Sequence, residues 1–171
     1  TFNQSNARFF SSGNSELEVQ WYLDSYVNGS DNKDLGSANV SAYDKNSLLS
    51  FTKLTNSTGR LPQQNLTEYT QNHSGSDGIG TKHFLTSYKI NTTKTGYEDD
   101  SSTLNITTNT LMNVTLSNSP PTTTTPTLNA TSITNQTINN LTCYFTISDA
   151  ESEDNLSTNF TWYNNGVLNL T

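Results

Sequence analysis

The first strong periodicity in the chain lies in residues 15–27. Leu17, Val19, Trp21, Leu23 and Val27 share one parity, while Glu16, Glu18, Gln20, Tyr22, Asp24 and Tyr26 take the other. Successive side chains of a strand point to opposite faces, so a period of two predicts a half-buried strand with Trp21 turned toward a core. A turn-like stretch over residues 28–36 follows. Ala38, Val40 and Ala42 then alternate with Asn39, Ser41 and Tyr43, and a further strand is expected between Leu48 and Thr55. Asn56-Ser57-Thr58-Gly59 closes it with a turn. Residues 71–81 hold three glycines and little apolar content, which is loop chemistry. Phe84, Thr86, Tyr88 and Ile90 resume the alternation, and a last strand region places Leu104, Ile106, Met112, Val114 and Leu116 on one parity. No segment carries a period of 3.6, so residues 15–116 are expected to form an all-β sandwich.

Ser117 to Pro126 reads S-N-S-P-P-T-T-T-T-P and contains three of the four prolines in the chain. With no aliphatic or aromatic residue it has nothing to bury, and proline favours extended, semi-rigid conformations. Residues 117–126 are therefore expected to be a linker, reaching roughly 30 Å at about 3.1 Å per residue. Beyond it, Leu141, Cys143, Phe145 and Ile147 form one predicted strand face, and Leu156, Thr158, Phe160 and Trp162 another. Asn164-Asn165-Gly166 reads as a tight hairpin turn. The expected organisation is an arm over residues 1–14, a sandwich over 15–116, the linker, and a smaller β region over 127–171.

Three short motifs carry a family resemblance: Gly36-x-Ala38-x-Val40-x-Ala42-x-Asp44, the run Thr55 to Gly59, and Tyr88-x-Ile90 leading to Lys94-Thr95-Gly96-Tyr97. Together they resemble the carboxypeptidase-regulatory-like modules, which have a transthyretin-like fold. The resemblance spans residues 17–116, with a departure between Leu61 and Tyr88 where the chain has an apparent insertion. It implies a non-catalytic module of secreted and surface proteins, and no catalytic residue carries over. The placement of Cys143 and Trp162 resembles strands B and C of immunoglobulin-like domains. The second cysteine and later strands of that pattern are absent. Residues 127–171 are thus expected to be an incomplete immunoglobulin-like region, completed by a neighbouring chain or by further sequence.

Composition narrows the function classes. The net charge is −7 and the eight Lys and Arg residues are scattered. A nucleic-acid partner needs a basic stripe, so none is expected. No apolar run approaches the roughly 18 residues of a membrane-spanning helix. The single cysteine excludes an internal disulfide. Serine-nucleophile, zinc-protease and phosphate-loop motifs are missing, and no enzyme activity or cofactor is expected. His73 and His83 flank a polar loop and read as surface residues. Asp149, Glu151, Glu153 and Asp154 lack the spacing of a calcium loop and read as a solvated acidic turn, so no metal is expected.

The dominant motif is N-x-[S/T]. It occurs fifteen times, at Asn3, Asn28, Asn39, Asn56, Asn65, Asn72, Asn91, Asn105, Asn113, Asn129, Asn135, Asn140, Asn155, Asn159 and Asn169. With 24 asparagines and 51 Ser plus Thr, chance would give about seven. Many middle residues are apolar: Val40, Leu66, Ile106, Val114, Leu141, Leu156, Phe160 and Leu170. On a strand, an inward middle residue turns both the Asn and the hydroxyl outward, where a glycan can be attached. Covalent N-glycans are therefore expected on strand faces as well as loops, including Asn105, Asn113, Asn140 and Asn159.

About 45 residues without a disulfide make a small unit to stand alone. Its apolar residues Cys143, Phe145, Phe160 and Trp162 call for cover. The arm with Phe2, Phe9 and Phe10 is the natural donor of an added strand from a neighbouring copy. A head-to-tail contact that does not close on itself propagates into a filament. The expected function is a glycosylated extracellular or cell-surface structural subunit that polymerises with copies of itself. The alternative is a carbohydrate-binding or adhesive module, which would use the outward Tyr22, Tyr26, Tyr43, Tyr144 and Tyr163 as a platform.

Overall fold

A computed structural model describes residues 16–72, 80–130, 141–150, 157–159, 161–164 and 166–170. Among these there is no helix, and the fold is all-β. The chain divides into two compact units between Asn118 and Ser119. The arm over residues 1–14, with Phe2, Phe9 and Phe10, lies outside the described residues, as does Phe160.

The first unit contains eight strands: β1 (Glu16–Gly29), β2 (Asn39–Tyr43), β3 (Leu49–Leu54), β4 (Gln64–Asn72), β5 (Thr81–Phe84), β6 (Tyr88–Thr93), β7 (Asp100–Leu104) and β8 (Thr110–Leu116). They form two four-stranded sheets, ordered β5-β4-β1-β8 and β3-β2-β6-β7. Within the first sheet β1 runs antiparallel to β4 and parallel to β8. The two sheets share one core, a sandwich built from Leu23 and Val27 of β1, Val40 and Ala42 of β2, Leu66 of β4, Ile90 of β6, and Val114 and Leu116 of β8. The alternation that predicts these strands is the alternation that fills the core. Trp21 packs against the edge of this cluster and is half-buried.

Strand boundaries depart from expectation in three places. The segment between Leu61 and Tyr88 contains the nine-residue strand β4. A register shift opposite Val19 and Gln20 leaves Glu68 as an extra residue, so the buried positions Leu66, Tyr69 and Gln71 lose their period of two. The Trp21 indole N–H donates to Glu68 Oε2 at 2.7 Å and holds the bulged residue. Second, residues 84–90 do not form one strand: Phe84 ends β5 and Tyr88 opens β6, in different sheets. Third, Leu104 and Met112 belong to β7 and β8, again in different sheets, with Ile106 buried in the connection between them. Leu104 and Met112 both pack against the one core from different sheets, whereas Phe84 is exposed and only Tyr88 is buried.

The second unit contains six short strands: β9 (Thr122–Thr123), β10 (Thr127–Ala130), β11 (Leu141–Tyr144), β12 (Ile147–Ser148), β13 (Trp162–Asn164) and β14 (Val167–Leu170). They pair as β9 with β12, β10 with β11 and β13 with β14, all antiparallel. Thr122 and Thr123 fall inside the Pro/Thr run, so part of that run pairs with Ser148 and Ile147 instead of only spanning a gap. Asn164 pairs with Val167, and Gly166 takes φ of 79°, as the two-residue hairpin requires. From residue 120 on, no described residue is buried, and the best covered are half-exposed.

Two core hydroxyls of the first unit, Ser25 Oγ and Thr92 Oγ1, are buried without a hydrogen-bond partner. Each loses its hydration with no compensation, a cost of about 1–3 kcal/mol. Thr92→Val keeps the β-branched shape and removes the orphan, so urea unfolding should show a gain of about 1 kcal/mol. Leu23→Ala in the same core should cost about 2–5 kcal/mol. A loss of stability in Thr92→Val would mean that its hydroxyl has a partner.

Candidate glycan-bearing and assembly surfaces

Seven sequons lie wholly within the described part of the first unit, at Asn28, Asn39, Asn56, Asn65, Asn91, Asn105 and Asn113. The strand pleat places their residues as the alternation requires. The middle residues Gly29, Val40, Leu66, Thr92, Ile106 and Val114 are buried, whereas Asn65, Asn105 and Asn113 are exposed and Asn28, Asn39 and Asn91 half-buried. Asn105 lies just past the end of β7 and not on a strand face, because the chain leaves the sheet there to reach β8. Asn113 is on β8 and opposes Tyr26.

The outer face of sheet β3-β2-β6-β7 is lined with hydroxyls and amides. Thr52, Ser41, Asn91 and Ser101 align across its four strands, with Asn39 beside Thr93. Asn39 Oδ1 accepts from the Thr52 hydroxyl at 3.0 Å, and Asn91 Oδ1 accepts from the Ser101 hydroxyl at 2.9 Å. Elsewhere, Asn28 Oδ1 accepts from the Thr115 hydroxyl at 2.7 Å and Asn105 Oδ1 from the Thr86 hydroxyl at 2.8 Å. In each case the side-chain carbonyl is tied to the fold. The nitrogen, the atom an N-glycan uses, makes no hydrogen bond to the described protein at Asn28, Asn91 or Asn105. Near Asn65, the Thr67 hydroxyl donates to Glu18 Oε1 at 2.5 Å. That bond, followed by one from Gln20, lowers the Glu18 carboxyl below its ordinary value, with burial opposing.

Asn56 differs. It sits in the turn between β3 and β4, and Asn56, Ser57 and Thr58 are all exposed. Its Oδ1 accepts from the Thr58 amide at 3.0 Å, the Thr58 hydroxyl at 2.9 Å and the Arg60 amide at 3.0 Å. An Asn side chain that receives backbone N–H groups two and four residues on stabilises the turn itself.

In the second unit the hairpin β10–β11 is two-faced. Leu128 pairs with Cys143 and Ala130 with Leu141 on one face; Thr127 pairs with Tyr144 and Asn129 with Thr142 on the other. Leu128 and Leu141 are 54% and 57% exposed, and Cys143 is half-buried. Trp162 and Phe145 are also half-buried. The sequon residues Asn129 and Thr142 therefore share the polar face, opposite an apolar face that the described residues leave largely uncovered. Asn159 is exposed but outside any strand, and Asn72 is exposed at the end of β4. Asn169 lies on β14. Asn3, Asn135, Asn140 and Asn155 lie outside the described residues.

The five outward tyrosines are dispersed. Tyr22 and Tyr26 are on β1, Tyr43 is on the opposite sheet, and Tyr144 and Tyr163 belong to the second unit. The Tyr26 hydroxyl donates to Asp34 at 2.5 Å, and that bond raises its pKa above the ordinary tyrosine value. His83 is exposed on β5, while His73, Glu151, Glu153 and Asp154 lie outside the described residues. Among the described residues no three His, Cys, Asp or Glu side chains gather as metal ligands, and no helix is long and apolar enough to cross a membrane.

No family model matches the chain, and no curated protein matches it. Among solved structures, it is similar to a crystal structure of BcpA, the major pilin subunit of Bacillus cereus. That match has 17% identity and a TM-score of 0.38, and covers 66% of this chain and 31% of that one. An aspartate-to-alanine variant of the same pilin matches at 15% identity, with a TM-score of 0.30 and the same coverage. This chain thus spans about a third of the length of the pilin it matches.

The hydrogen bonds at Asn56 set a test of its structural role. Asn56→Ala removes the turn acceptor and should lower unfolding stability by about 1 kcal/mol. Asn56→Asp keeps an oxygen in place and should cost only a few tenths of that, while still abolishing the sequon. Equal losses in the two variants, measured by urea denaturation of unglycosylated protein, would exclude this role.

Proposed function

We propose that this chain is a non-catalytic, N-glycosylated subunit of an extracellular structural assembly, joined to further copies by β-strand addition at its second unit. What supports the reading is the division of the β10–β11 hairpin into a sequon face, with Asn129 and Thr142, and an apolar face, with half-buried Ala130 and Cys143 and with Leu128 and Leu141 that the described residues leave largely uncovered. Glycans on the first face leave the second free to be covered. Among the described residues both strands of this two-stranded sheet also have an unpaired edge, the usual template for an incoming strand. Leu128 and Leu141 are a little over half exposed, so covering them fully would recover about half of the 1.5–3 kcal/mol of a complete burial for each side chain. The occupant is an extended apolar segment of another copy, with the arm containing Phe2, Phe9 and Phe10 as donor. A donor at one end and an acceptor at the other give a heterologous contact that extends without closing. On this reading Cys143, Phe145, Phe160 and Trp162 line the acceptor, and the sandwich is a glycan-covered body.

Native material should appear as filaments or a layer by negative-stain microscopy, with an intact mass well above the bare 18.8 kDa. The double variant Leu128→Lys, Leu141→Lys should remain monomeric in sedimentation while the sandwich unfolds as in the parent. Monomers of bare mass in the native material, or unchanged assembly of the variant, would contradict the proposal.

A further inference from the structure

We infer that Asn56 is the one of the seven described sandwich sequons that can receive a glycan after folding, and that the other six must be modified before the sandwich closes. This inference rests on the reading of the sequons as glycan acceptors. Transfer joins Asn Nδ2 to the C1 atom of a sugar activated as a diphosphate ester. The C1–oxygen bond breaks, the diphosphate leaves with its electron pair, and the amide nitrogen loses one proton. A transferase acting on N-x-[S/T] must also hold the hydroxyl two residues on, so it has to seat three consecutive residues at once.

The fold decides where that is possible. At Asn28, Asn39, Asn65, Asn91, Asn105 and Asn113 the middle residue is buried. Seating such a sequon in an enzyme cleft would pull a core side chain out at five of these sites; at Asn28, whose middle residue Gly29 has no side chain, it would break the backbone bonds from Gly29 to Lys33 and from Ser30 to Leu116. Val40, Thr92 and Ile106 are each 0% exposed, and Asn39 and Asn91 carry a further cost. Both asparagines also lie on interior strands, paired on two sides: Asn39 with Leu54 and Thr93, and Asn91 with Ser41 and Ser101. Freeing three residues there breaks two ladders and opens the core, which approaches unfolding the unit. At Asn39 the nitrogen also donates to Ser41 Oγ at 3.5 Å, and Ser41 is buried.

Asn56 meets none of these obstacles. Its three sequon residues are exposed in a turn, and the turn is held by its side-chain carbonyl and by its backbone bonds with Arg60 and Gly59. The side-chain nitrogen has no partner in the described protein, so a glycan there leaves the turn intact. The biological consequence is an ordering: the chain must meet its transferase while still unfolded, as a chain does while crossing a membrane. Among the seven described sandwich sequons, protein that folds first can gain a glycan only at Asn56.

The test uses the full chain made without glycans, a soluble sequon-specific N-glucosyltransferase, and UDP-glucose. Folded chain is compared with the same chain denatured and cut into peptides, and occupancy is read by peptide mass mapping. Asn56 should be modified at similar rates in both samples. Asn39 and Asn91 should be modified in the peptides but at least about a hundredfold more slowly in the folded chain, because unfolded fractions are typically 10⁻³ or less. Comparable rates at Asn39, Asn91 and Asn56 in the folded chain would overturn the inference. So would a bare Asn56 in the folded chain, or peptides in which Asn39 and Asn91 stay unmodified. Native material lacking glycans would instead remove the proposed function and leave this rate contrast standing.

Discussion

The pleat of the β-strand is the constraint on which the rest depends. It forces neighbours in the chain onto opposite faces, so a core residue flanked by Asn and Thr necessarily presents both polar groups at the surface. In the sandwich this links two requirements that could have conflicted. Val40, Thr92 and Val114 fill the interior while Asn39, Asn91 and Asn113 line the exterior. A chain with only 30% hydrophobic residues can close a core in this way because its apolar residues are concentrated at inward positions. The same linkage would make sequons such as Asn39 and Asn91 inaccessible once folded, because seating one in an enzyme would disturb Val40 or Thr92 at its centre.

The two units meet the burial requirement differently. In the first, two four-stranded sheets enclose a cluster in which Leu23, Val27, Ile90 and Ile106 are fully buried. In the second, three separate strand pairs leave Leu128, Leu141, Val167 and Leu168 largely exposed. Two-stranded ribbons are marginal in water unless something packs on their apolar face. The polar face of β10–β11 repeats the arrangement of the sandwich exterior, but nothing described plays the part of the core beneath it.

Much of the fold was legible because period two survives in β1 and in Val40 and Ala42 of β2, and because the turn at Gly166 has its own residue signature. The reading failed where a bulge interrupted the period, as at Glu68 in β4, and where two strands of one parity sat in different sheets, as with Leu104 and Met112. Parity reports which face is buried but not which strands are neighbours. The Pro/Thr run could not reveal that Thr122 and Thr123 pair, since two backbone-paired threonines leave no apolar signal. At the sequons, the sequence indicated which residue turns outward. It gave no sign of the anchored carbonyls at Asn28, Asn56, Asn91 and Asn105, whose partners are as distant as Thr115 is from Asn28. Asn56 was already set apart in the sequence by its turn and its polar middle residue Ser57, and the structure adds that all three residues of that sequon are exposed.

We propose that the sandwich stands alone while the second unit is completed by another copy. Amide hydrogen exchange of the intact chain across a concentration series tests it most directly. Protection in β1, β2, β6 and β8 should be the same at every concentration. Amides of β10 and β11 should exchange rapidly in dilute monomer and gain protection of at least about a hundredfold as assembly sets in, consistent with formation of new ladder bonds in a covered sheet. Full protection of β10 and β11 in dilute monomer, or unchanged rapid exchange in the assembled state, would contradict it.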